Sequence, residues 1–307
     1  MNRQRQGHLA GLVFSVVFGL TFMFSKTALE TGLPPIGLIA YRFLLAFLLF
    51  EALRRSGVIR IRFARAHAAS IALVALFQPI LYFLFETYGL ARTSSGEAGM
   101  MVALIPIFAT ILSTLILKEK PRPVQVLFIL LSVSGILLIQ IASTLGAFEA
   151  DPLGFLLLFF AILSAAAFNI ASRHASQQIR PVELTYFMML SGAMVFNILY
   201  GLHLLRHGEG YLGPLGDPLV IAPVLYLGIG ASIGGFFLLN YALARLQAHV
   251  ISIYANLSTV IAIAAGAVFL GESLSSYHYV GAAMIISGVY GTVRMNTKAR
   301  IKSVPHE

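Results

Sequence analysis

Long apolar segments recur along this chain from end to end, and they constrain its fold more than any other feature. Crossing roughly 30 Å of hydrocarbon takes about 20 mostly apolar residues in a helix. Ten such candidates are present, over residues 9–28, 35–53, 67–88, 96–117, 124–144, 153–174, 182–205, 219–243, 250–270 and 277–293. With 58% hydrophobic and only 11% charged residues, the composition lies far from that of a soluble domain. The expected class is an all-α, multi-pass membrane protein.

The segments are related to one another. At a constant offset of 153 positions, Tyr88-Gly89-Leu90-Ala91-Arg92 lies over Tyr241-Ala242-Leu243-Ala244-Arg245, Leu117 over Leu270, Glu119 over Glu272, and Ser134-Gly135 over Ser287-Gly288. Leu and Ala matches arise by chance in apolar chains, so the Tyr, Arg, Glu and Ser-Gly pairs carry the comparison. The expected organisation is one five-helix repeat over 1–145, a second over 150–294 and a cytoplasmic tail over 295–307. Five spans per half is an odd number, so the second half enters the bilayer from the opposite side and the repeats are inverted.

Orientation follows from the basic residues, which cytoplasmic loops retain. Arg54 to Arg65, Lys118 to Arg122, Arg173, Arg180 and the residues from Arg294 to Lys302 fall on one face. Arg92 and Arg206 stand on the other. Both termini are therefore expected in the cytoplasm, the first apolar run is read as a retained span rather than a signal, and the localisation is the cell (inner) membrane. The net charge of +9 follows from this bias and calls for no nucleic acid. The absence of cysteine excludes thiol catalysis, thiolate metal sites and disulfides.

Specific residues give the chain a family likeness. They are Phe18-Gly19 and Ser25-Lys26 in the first span, Tyr41-Arg42-Phe43 in the second, Thr93-Ser94-Ser95-Gly96-Glu97-Ala98 and Pro106-Ile107-Phe108 around the fourth, and Leu117-Lys118-Glu119-Lys120 after it. Asn240-Tyr241-Ala242-Leu243 and Phe269-Leu270-Gly271-Glu272 repeat the theme. In order and spacing these marks resemble EamA-type carriers of the drug/metabolite transporter superfamily. Phe18 departs by standing where Trp is common, and Thr259 by replacing the repeat-mate of Pro106. The resemblance implies a secondary transporter, with export of amino acids or related compounds by alternating access as the preferred reading. Drug or nucleotide-sugar carriers of the same fold, and a nontransporting scaffold, are the alternatives.

Ionisable groups in lipid are costly and usually face protein or water. Lys26, Arg42, Glu86 and Glu97 lie toward the outer ends of the first four spans and are candidates for coupling or gating, Glu86 also for substrate contact. Lys26 and Arg42 are equally readable as fixed ion-pair members, and Glu97 as part of the capping box Ser94-Ser95-Gly96-Glu97. Phe18, Phe22, Gln78, Tyr82, Asn169, Asn240, Tyr254 and Asn256 are candidate cavity residues; interhelical packing and hydrogen bonding are the competing reading. Pro79, Pro106 and Pro223 predict kinks, with Pro106 the leading hinge. The segment from His203 to Asp217 reads as a mobile outer loop.

No Gly-x-x-x-x-Gly-Lys-Ser/Thr loop is present, so ATP does not drive this chain directly. No nucleophile–base pair suggests an enzyme, and no cofactor or metal is expected. Expected partners are a small-molecule substrate, the lipid bilayer and, for coupling, protons; the expected state is a monomer.

Overall fold

The computed structural model describes residues 3–90, 92–93, 101–143, 151–208, 210–269 and 273–301. Helices α1 (Arg3–Glu30), α2 (Pro35–Arg55), α3 (Arg65–Gly89), α4 (Ile105–Ile116), α5 (Pro123–Ser143), α6 (Pro152–Ala175), α7 (Pro181–His207), α8 (Pro218–Leu243), α9 (Ala248–Phe269) and α10 (Ser276–Ile301) follow one another, and no strand occurs among the described residues. Eight of them are long and apolar enough to cross a membrane by length and composition. The described part of α4 is apolar but spans 12 residues. Helix α10 opens on Ser276-Tyr277-His278-Tyr279, which dilutes its apolar character.

Local chemistry sets the helix starts. Pro35, Pro123, Pro152, Pro181 and Pro218 each occupy a first position, where a missing N–H is no loss and the fixed φ is already helical. Asp151 accepts from the Leu153 and Gly154 amides, and Asp217 from the Leu219 amide, satisfying donors with no partner inside the helix. Helix α7 stops at Gly208, whose φ of 70° suits glycine.

Packing follows the repeat. Exchanging the halves turns the contact of α1 with α9 into that of α6 with α4, α1 with α8 into α6 with α3, and α2 with α8 into α7 with α3; all six occur. The pairs α2–α7 and α5–α10 map onto themselves and also occur. The last is a glycine seam, in which a Cβ on Gly288 would stand 2.5 Å from the Phe128 carbonyl and one on Gly135 2.7 Å from the Gly281 carbonyl. Backbones this close gain dispersion contacts that water-driven burial cannot supply inside lipid.

Irregular backbone also respects the repeat. Helix α3 contains a π-helical stretch at Leu76–Leu81, and α8 one at Tyr226–Gly235, which covers the same positions shifted by 153. Within the first, Gln78 leaves helical geometry at φ −149°, ψ 121° and precedes a cis bond to Pro79. Pro223 lies inside α8 just before the second. The expected break at Pro79 is thus present. Pro106 instead occupies the first turn of α4, after a turn at Ala103-Leu104.

The connection from His203 to Asp217 differs from the mobile loop expected. Helix α7 continues to His207, and Tyr211 beyond it donates to Asn197 Oδ1 at 2.5 Å while its carbonyl accepts from the Tyr41 hydroxyl. Tyr200 packs edge-on against Tyr41 with ring centroids 5.5 Å apart. Glycine and proline content marks where a chain turns; it does not register an aromatic that pins the turn.

Candidate functional site

Arg42 is a buried charge within the membrane part of the described chain, with 7% of its surface exposed. It sits about two turns into α2, where the i, i+4 spacing of Leu38, Arg42 and Ala46 puts it on the buried face. Its Nε donates to Ser232 Oγ of α8 at 2.7 Å, so a residue of the second half holds a cation of the first. The guanidinium carbon lies 5.1 Å from the Phe83 ring centroid and 5.4 Å from that of Phe43. Nη2 is buried and has no hydrogen-bond partner among the described residues.

A carboxylate completes the surroundings. On α3, Tyr82 donates to Glu86 Oε1 at 2.8 Å across one helical turn, and Glu86 and Arg42 feel each other's charge without a direct hydrogen bond between them. Tyr82 and Glu86 lie among the helices yet keep some accessible surface. A lone guanidinium in a low-dielectric interior would be strongly disfavoured, and a nearby carboxylate offsets much of that penalty.

The repeat supplies an internal comparison. At the offset of 153, Glu86 falls on Leu239, Tyr82 on Gly235 and Pro79 on Ser232, and α7 carries no charged side chain between Glu183 and His203. Leu239 is buried. The scaffold therefore packs with an apolar residue where the first half has Glu86, and the helix arrangement does not require the charge.

The other expected site residues are dispersed. Asn240 is fully buried, accepting from Ser172 Oγ at 2.6 Å and donating to Thr185 Oγ1 at 3.0 Å, so it ties α6, α7 and α8 together. The Tyr254 hydroxyl meets His8 Nδ1 at 3.0 Å, and its ring lies against Gly11. Asn256 donates to Ser132 Oγ at 3.1 Å, joining α9 to α5. Phe18 packs on Phe14 and Phe236 at the α1–α8 contact. Asn169 is buried on α6, and Gln78 in the break of α3. Lys26 is exposed near the end of α1 and has a partner there. Glu97 and the side chain of Phe22 lie outside the described residues.

Two groups escaped the sequence reading. Ser232 is a single hydroxyl in the run Gly228-Ile229-Gly230-Ala231-Ser232; its alignment with Pro79 was the available signal. Glu119 enters the sequence reading as a marker of the repeat and of the family likeness, with no role of its own. It accepts from Arg173 Nε at 2.9 Å and from the Ala248 amide at 3.0 Å, while Arg173 Nη1 donates to the Leu243 carbonyl at 2.9 Å. This clasp joins the connection after α4 to α6, α8 and α9. Among the described residues no group of three or more His, Asp or Glu is placed to hold a metal.

A carrier family accounts for paired halves around one buried charge site, and the sequence profile of the EamA-like transporter family matches residues 5–141 and again 152–294. The chain belongs to the EamA-like transporter family. It is a multi-pass membrane transporter, with a small molecule as substrate and the bilayer as its surroundings. An uncharacterized transporter of Bacillus subtilis, YcxC, is 34% identical over 99% of this chain and 98% of its own length. A probable amino-acid metabolite efflux pump of Salmonella typhimurium is 27% identical over 97% of this chain and 99% of its own length. The crystal structure of an 18% identical protein superposes with a TM-score of 0.82, covering 96% of this chain and 99% of that one, which places the two in one fold.

Proposed function

We propose that this EamA-family protein is a secondary carrier that exports amino acids or related small metabolites by alternating access. In this reading ten spans form two inverted five-helix halves, residues 1–145 and 150–294, with both termini and the tail over 295–307 in the cytoplasm. The observation that carries it is the exchange symmetry of the helix contacts. A scaffold built from two equivalent halves has two mirror-related arrangements of nearly equal packing, which is what alternate exposure of one central site needs.

In this reading the Glu119–Arg173 clasp belongs to the cytoplasmic end, among the basic loops, and holding that end shut is the role proposed for it. Glu86 is the proton-coupling candidate among the described residues, with Glu97 its sequence companion; Pro106, at the start of α4, and the break at Gln78-Pro79 are the hinge candidates. Amino-acid-type cargo is supported by a site holding both charge signs and by the names of the Salmonella typhimurium relative and of a 25% identical Escherichia coli protein, each a probable amino-acid metabolite efflux pump. A nucleotide-sugar carrier would bring anionic cargo past Glu86, which disfavours that alternative. A monomer suffices, since both halves lie in one chain.

The test is uptake of labelled amino acids and other metabolites into proteoliposomes of the purified protein, with and without an imposed pH gradient. Saturable uptake of an amino acid is expected, with accumulation under the gradient if Glu86 carries protons. Folded protein that moves nothing across a broad panel would sink the carrier reading.

A further inference from the structure

Building on the carrier reading, we infer that Arg42 and the Tyr82–Glu86 pair form one receptor for an α-amino acid zwitterion, the carboxylate on Arg42 Nη2 and the ammonium on Glu86.

The geometry assigns the two ends. Ser232 fixes Arg42 through Nε at 2.7 Å, and Phe83 and Phe43 flank the guanidinium; among the described residues Nη2 is left buried without a partner. An unmet buried donor costs about 1–3 kcal/mol, more when charged, and such groups are uncommon in folded proteins. A guanidinium edge is suited to carboxylate. Tyr82 likewise fixes the Glu86 carboxylate through Oε1 at 2.8 Å.

Charge balance selects the ligand class. Arg42 and Glu86 are of opposite sign and feel each other's charge, and a zwitterion enters such a site without changing its net charge. A simple carboxylate would leave an uncompensated negative charge in a low-dielectric interior, and a simple amine a positive one. The second half argues against a purely structural role: Leu239 stands at the position of Glu86 and Gly235 at that of Tyr82, so the helix positions alone do not demand them.

Leucine, 4-methylpentanoate and 3-methylbutylamine share a side chain and differ only in their charged ends. Thermal shift of the full-length protein in detergent measures binding of each, and competition against labelled leucine in proteoliposomes measures transport. Leucine is expected to bind at least about tenfold more tightly than either analogue, the ratio that a lost interaction of about 1.4 kcal/mol produces. In Glu86→Gln the preference for leucine over 4-methylpentanoate should collapse toward one, and in Arg42→Gln the preference over 3-methylbutylamine. Tyr82→Phe, a smaller change that releases Glu86, should weaken leucine more than 4-methylpentanoate if either charge variant fails to fold.

Equal binding of leucine and both analogues by the native protein would overturn the receptor, as would variants that weaken all three in the same proportion. Failure of the carrier reading would look different. Discriminating leucine binding with no flux of any compound would refute transport and leave the receptor standing, whereas saturable flux of compounds without zwitterion preference would do the reverse.

Discussion

Arg173 and Glu119 form an ion pair of 2.9 Å between the two halves of the molecule, with side chains 19% and 15% exposed. Because Glu119 also accepts from the first amide of α9 and Arg173 also donates to the last carbonyl of α8, the pair ties together two helix ends as well as two charges. Glu119→Gln should weaken the clasp by roughly 1.5–3 kcal/mol, the range for hydrogen bonds to charged groups. A lower melting temperature is expected, with faster maleimide labelling of a cysteine introduced at the buried Leu246. The absence of native cysteine makes that reading direct, and unchanged melting and labelling would deny the clasp any role.

Asn240 should behave as a brace. Its amide is held by Ser172 and Thr185, and Asn240→Ala leaves these hydroxyls to find other partners at about 1–3 kcal/mol. Melting temperature should fall while the apparent KM for a transported substrate stays within about twofold, which is under ~0.5 kcal/mol. A selective change in KM with normal melting would instead return Asn240 to the cavity.

The glycine seam predicts a steric effect. A Cβ at Gly288 would meet the Phe128 carbonyl at 2.5 Å, and backbone cannot yield as a flexible side-chain tip can. Gly288→Ala should cost about 1–3 kcal/mol, whereas Gly201→Ala, with nothing within 4 Å of its Cβ, should be close to neutral. Comparable melting of the two variants would show that α5 and α10 separate easily.

Acid should act at the start of α6. Asp151 is held below the usual carboxylate range, first by the Leu153 amide, then by that of Gly154 and by Arg92. A lowered folded value means that its stabilisation is complete above the unfolded pKa of about 3.9 and fades as pH falls through the folded value. Melting curves of the native chain and Asp151→Asn should therefore converge below about pH 4 and differ above it. A constant difference across that window would remove Asp151 as the titrating group.

Helical class and duplication were legible because both rest on patterns along the chain: apolar length and residues at a fixed offset. Site chemistry was legible only in part. Arg42, Glu86 and Tyr82 stand out in an apolar segment, yet their grouping depends on how α2 and α3 rotate, and rotation leaves little trace when nearly every face is apolar. Asn240, Tyr254 and Asn256 share the signature of cavity residues, since a buried amide looks alike in sequence whether it meets a substrate or Ser172. Ser232 was hidden for the opposite reason. A serine is unremarkable in a glycine-rich helix until the guanidinium it receives is located.

The alignment of Pro79 with Ser232 bears on how such a molecule can arise. Two copies of the first half, assembled as a symmetric dimer, would set a second Pro79 where Arg42 now meets a hydroxyl. Both guanidiniums would lose their anchor, and the interior would hold twice the charge. Joining the halves in one chain lets one copy of a position break the helix while the other fastens a cation, a division of labour that an ancestor made of identical subunits could not have had.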